Sequence, residues 1–101
     1  MAELLRGVTI ESVWFVVATY APDAAATREP FRAEHLARLV ELKQRGICVE
    51  AGGFADLSTA IALVRADREE AALDLFRGDV YLRNGVWIAI RARPFGRMTL
   101  R

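Results

Sequence analysis

An α+β fold of ferredoxin-like β-α-β-β-α-β order, a four-stranded antiparallel sheet with both helices on one face, is predicted by three features of the sequence. A strand signal opens the chain and another closes it. Two helix-periodic segments each end at a glycine. Between them lie two short strand-like runs separated by turn-forming residues.

Ser12 to Tyr20 reads SVWFVVATY, a β-branched and aromatic run that stops at Ala21-Pro22-Asp23. Ala24 to Glu29 reads as a loop, and Pro30 suits the first turn of a helix running to about Arg45. Phe31, His35, Leu39 and Leu42 are spaced along one face of that helix, Leu36 and Val40 widen the stripe, and Gly46 is the expected stop. Ile47 to Phe54 and Thr59 to Ala66 read as a hairpin about Asp56-Leu57-Ser58. Asp67 and Glu70 have capping-box spacing before a second helix over Arg68 to Arg77, which buries Ala71, Ala72, Leu75 and Phe76 and ends at Gly78. Asp79-Val80-Tyr81-Leu82 and an Asn84-Gly85 turn lead into a last strand over Val86 to Ala92.

Two helices cover one face of such a sheet. A strand solvated on the other face alternates polar with apolar residues. Val13 to Val17 and Ala60 to Val64 are instead apolar in succession, so both strands read as buried on both faces. A second copy is the simplest cover, and two sheets packed face to face make a dimeric α+β barrel. A monomer would expose an apolar patch well beyond the few hundred Å² usual on soluble proteins.

The chain has 101 residues, enough for a single domain over 1–101 with its core at about 12–95. Hydrophobic residues make up 53% and charged residues 27%, values of an ordered globular protein. Fourteen basic and 13 acidic residues give a formal net charge of +1, which does not build the basic face that nucleic acid requires. Arg91, Arg93, Arg97 and Arg101 read as a short cationic tail. The single cysteine, Cys48, makes no intrachain disulfide and fits a reducing compartment; in a strand it reads as a small buried hydrophobe. No run of about 18 apolar residues predicts a membrane span, and Met1 to Thr9 lacks a signal-like apolar stretch. A cytoplasmic location is expected. One histidine and one cysteine do not make a zinc site, no phosphate loop or GxGxxG is present, and no cofactor or metal is expected. Trp14 and Trp87 read as core or interface residues.

Arg32-Ala33-Glu34-His35-Leu36-Ala37-Arg38-Leu39 resembles the RxxHLxRL helix of the YCII-related (YciI-like) family. The resemblance continues through Gly46, Ala51-Gly52-Gly53, Asp79-Val80-Tyr81-Leu82, Gly85-Val86 and Arg93-Pro94-Phe95, in order and at consistent spacing from about Val13 to Phe95. Val80 stands where the family has proline, and the segment Asp23 to Glu29 does not match. The resemblance implies a dimeric α+β barrel and a site formed by His35 and Asp79. It also implies kinship with proteins likened to muconolactone isomerases and to enzymes that eliminate chloride from chlorinated lactones.

His35 occupies a stripe position where leucine is the ordinary choice, and a buried imidazole needs a partner. Asp79, leaving the second helix on the same sheet face, is within topological reach. A carboxylate accepting from one ring nitrogen fixes the tautomer and leaves the other nitrogen as a base; the alternative is a purely structural pair. Arg32, one turn earlier, is either a carboxylate anchor or a solvated, ion-pairing arginine. Ser58 either donates to a ligand or stabilises its turn. Gly52 with Gly53 either admits a ligand close to the backbone or marks a bulge. Tyr81 contributes a hydroxyl to the pocket or lies in the dimer seam. Three functions follow: a cofactor-free lyase or isomerase acting on a small carboxylated ring or lactone, a non-catalytic module that binds a metabolite or a partner protein, or an oxygen-dependent monooxygenase.

Overall fold

A computed structural model describes residues 5–100. Strand β1 (Val8–Tyr20) leads through a helical turn α1 (Ala24–Thr27) and a 3-10 turn (Glu29–Phe31) into helix α2 (Arg32–Gln44). The hairpin β2 (Cys48–Gly53) and β3 (Thr59–Val64) follows, then α3 (Glu69–Arg77), the short α4 (Val80–Arg83) and β4 (Trp87–Leu100). The strands lie in the order β2-β3-β1-β4 with every neighbouring pair antiparallel. This is the split βαβ arrangement the sequence predicts.

Alternation assigns the faces. Val16, Ala18 and Tyr20 of β1 and Ala60, Ala62 and Val64 of β3 point inward and form one core with Leu42, Ala72 and Phe76 from the helices. Phe15, Val17, Ile61 and Leu63 point to the opposite face, where no helix covers them, and are only half-buried. Gly46 ends α2 at φ +73, a conformation that costs glycine nothing, and the Ile47 N–H then reaches back to the Leu42 carbonyl at 2.9 Å.

Several boundaries differ from the sequence reading. Ala24–Thr27 is helical rather than loop, and the α2 helix proper begins at Arg32, after Pro30 has started a 3-10 turn. Leu36 and Val40 do not widen the buried stripe of α2: they are exposed, because the sheet takes up only the His35–Leu42 edge. The Asp67–Glu70 capping box does not form; Arg68 holds the N-cap position in extended backbone with no side-chain cap. Asp79 instead caps a helix, α4, that the sequence reading left irregular. Arg91, Arg93 and Arg97 are not a tail but part of β4, which continues through Pro94 and Gly96 to Leu100. β4 is an edge strand, so the missing N–H of Pro94 disrupts no ladder. Arg101 lies outside the described residues.

Candidate active site around His35

His35 sits in the first turns of α2, on the edge that faces the sheet, and is 5% exposed. Its Nδ1 lies 2.9 and 3.0 Å from the two carboxylate oxygens of Asp79, which is 4% exposed. Nδ1–H therefore donates to Asp79 and the lone pair rests on Nε2, which has no hydrogen-bond partner among the described residues. Asp79 reaches this position because it ends the turn after α3 and caps α4. Its Oδ1 also accepts the Tyr81 N–H at 2.8 Å. One carboxylate thus fixes both a helix start and an imidazole tautomer.

Aromatic rings hold the imidazole on two further sides. Tyr81 stacks on it at a centroid distance of 3.8 Å and an interplanar angle of 9°. Trp87 meets it nearly edge-on at 4.9 Å and 85°. A register shift brings Trp87 here. Thr19 pairs with Ala89 and Tyr20 with Trp87, so Ile88 is an extra residue in β4. The bulge re-phases the strand and turns Trp87 inward while Ile88 is exposed. Burial, followed by the neighbouring Tyr20, pushes the Tyr81 phenol above the ordinary tyrosine value.

His35 lines a cavity of about 370 Å³ between α2 and the inner face of the sheet. Its floor is made of small residues, Ala18, Ala60, Ala62 and Ala51, whose short side chains leave the space open. Arg28, Arg32, Leu36 and Leu39 edge it from the helical side, and Phe54, Ala55 and Leu57 of the β2–β3 loop edge it from the other. Leu57 adopts φ 56, a left-handed conformation that costs a non-glycine residue about 1–2 kcal/mol, so the hairpin loop stores strain at the rim of the cavity. Among the described residues, no Asp or Glu lines the cavity. Among the described residues, no group of three or more His, Cys, Asp or Glu side chains could hold a metal ion.

The residues singled out in the sequence divide clearly. His35, Arg32, Tyr81 and Gly52 border the cavity, and Asp79 stands behind His35. Ser58 does not border it. Its N–H donates to Asp56 Oδ1 at 2.9 Å and its hydroxyl meets only Thr59, the turn-stabilising arrangement. Gly52 pairs with Ile61 and so faces the uncovered side, whereas Gly53 faces inward; a Cβ there would come within 3.2 Å of the Tyr20 hydroxyl. Arg28 and Trp87 border the cavity without having been singled out for it. Arg28 lay in a segment read as loop, and nothing in the sequence around Trp87 marks the bulge that turns it.

A comparison with curated proteins finds no match. Among solved structures, the 5-chloro-2-hydroxyhydroquinone dehydrochlorinase of Burkholderia phenoliruptrix, in complex with 2,5-dihydroxybenzoquinone, superposes with a TM-score of 0.69 at 17% sequence identity. The alignment covers 82% of this chain and 92% of that one. At that identity the likeness establishes the fold, the α+β protomer of the dimeric α+β barrel class. The profile of the YCII-related domain matches residues 13–96. That stretch runs from β1 through α2, the hairpin and Asp79 into β4, and the chain accordingly belongs to the YCII-related family.

Proposed function

We propose that this protein is a cofactor-independent lyase or isomerase acting on a small carboxylated ring or lactone. The observation that carries the reading is a buried His35–Asp79 pair whose imidazole borders a mostly apolar cavity. In this reading the Nε2 lone pair removes a proton from the carbon next to a carbonyl. The C–H electron pair then forms the enolate. In an elimination it goes on to expel a leaving group such as chloride as the anion; in an isomerisation His35 returns the proton at a different carbon. Asp79 keeps the proton on Nδ1 and offsets the positive charge the ring acquires. Arg32 anchors a substrate carboxylate through its planar fork, while Tyr81 and the backbone at Gly52 frame the ring. The fold-mate named above is itself a dehydrochlorinase, which supports the elimination branch.

The reading includes a homodimer formed through the uncovered sheet face, and a cytoplasmic setting consistent with a lone buried thiol. The test is turnover of a panel containing muconolactones and chlorinated hydroxyquinols by wild type and His35→Ala. The expected result is turnover by wild type that falls about 10²–10⁴-fold in the variant with its fold intact. Equal rates in the two proteins would remove His35 from the chemistry. Ligand binding without turnover by wild type would favour the non-catalytic binding module.

A further inference from the structure

Two arginines, Arg28 and Arg32, border the cavity. Among the described residues they are its only Lys or Arg neighbours, no Asp or Glu lines it, and neither arginine forms an ion pair. Arg28 is half-buried, and its Nε is fully buried without a hydrogen-bond partner. A buried guanidinium donor left unpaired is costly. The backbone nonetheless holds it there: the Arg28 N–H donates to the Ala24 carbonyl at 2.9 Å, and the Arg28 carbonyl accepts from Phe31 at 2.9 Å. The indole N–H of Trp87, beside His35, is likewise buried and unpartnered.

We infer that Arg28 and Arg32 form a two-pronged clamp for the free carboxylate of a single-ring organic acid, and that Arg28 makes the site select acids over lactones and other neutral rings. The proposal rests on the cavity's being the substrate site, and it narrows the substrate class left open above. A carboxylate fits one guanidinium fork bidentately and leaves lone pairs for the second. The alanine floor accepts the ring. The position of both arginines near the Tyr81 ring agrees with their pull on its phenol, each favouring the ionised form against the larger opposing effect of burial.

The experiment is titration calorimetry of wild type, Arg28→Gln and Arg28→Lys with four acids (benzoate, salicylate, 2,5-dihydroxybenzoate and 2-furoate) and the amide of each. The expected result is at least one acid binding wild type tenfold or more tightly than its amide. Arg28→Gln should reduce that preference to within threefold while leaving amide affinity and melting temperature unchanged, and Arg28→Lys should retain part of it. No preference for any acid in wild type, or a full preference surviving in Arg28→Gln, would overturn the clamp. Lactone turnover that depends on His35 but shows no Arg28-dependent acid preference would overturn the clamp alone. Acid preference without His35-dependent turnover would overturn the catalytic reading alone.

Discussion

Asp79 joins a stability role and a site role in one side chain, and two substitutions separate them. In Asp79→Ala the Tyr81 N–H loses its cap, worth about 0.5–2 kcal/mol, and the imidazole loses a charged partner worth about 1.5–3 kcal/mol. Chemical denaturation of Asp79→Ala should therefore show a loss of about 2–5 kcal/mol. Asp79→Asn retains an oxygen to accept from Tyr81 but turns its NH₂ towards Nδ1, which stabilises the tautomer with the proton on Nε2. Its stability should fall much less, while kcat/KM for the substrate found in the turnover panel should drop about 10²–10⁴-fold. A variant that lost stability without losing rate would leave Asp79 a purely structural residue. His35 could be picked out from the sequence because an imidazole in an apolar stripe has to be satisfied. Asp79 could be paired with it because the topology puts the end of α3 on the same sheet face as α2. Arg28 could not: its importance lies in lacking a partner, which only the three-dimensional arrangement shows.

At the scale of elements, periodicity located every strand and both long helices, since apolar spacing follows directly from the burial of one face. What it missed depends on contacts between distant parts of the chain. The four-residue helices α1 and α4 are too short to show a period. The bulge at Ile88 is a relation between two strands rather than a property of either. The extension of β4 beyond Ala92 depends on its pairing with Val8–Val13, where Ile10 faces Met98 and Glu11 faces Arg97. This extension forms a two-stranded ribbon held by a small charge cluster. Arg65, at the end of β3, donates to both oxygens of Glu11, and Arg97 Nη1 lies 3.1 Å from Oε1. The hydrogen bond from Arg65 foremost, then the charge of Arg65 and the contact with Arg97, hold the Glu11 carboxyl below the ordinary glutamate value. A lowered native value means that the stabilisation is fully present above the ordinary value and is lost as the pH falls through the lowered one. The melting-temperature gap between wild type and Glu11→Gln should therefore be open at pH 7 and narrow as the pH falls below the ordinary glutamate value. A gap unchanged over that range would show that the ion cluster contributes nothing to the ribbon.

Over the whole molecule, the homodimer proposed above has an uncovered sheet face to occupy. The principal extents are 49 × 25 × 23 Å, and the long axis is drawn out by the β1–β4 ribbon. A lone two-stranded ribbon is at best marginally stable in water. This one carries Ile10, Met98 and Leu100 at 51%, 61% and 75% exposure. The uncovered sheet face adds Phe15, Val17, Ile61 and Leu63, with Phe95 packed on Phe15 at a centroid distance of 5.4 Å. Arg91 and Arg93, paired with Val17 and Phe15, stand beside these residues on the edge strand. The apolar succession in β1 and β3 was visible in the sequence and is what pointed to a covered face; the ribbon was not, because the last strand reads only as far as Ala92. A second copy placed on this face would bury Phe15, Val17, Ile61 and Leu63 against their counterparts, and a stable interface needs about 800 Å² from each partner. Size-exclusion chromatography with light scattering should give twice the chain mass at micromolar concentration. Val17→Asp puts a charge at the centre of the face without touching the His35 cavity, so it should give the single-chain mass. If that monomer keeps ligand affinity, each protomer completes its own site; if affinity is lost with the dimer, the second copy closes the cavity rim at Phe54 and Leu57. A wild type that is monomeric at those concentrations would mean that the exposed rows serve some other surface.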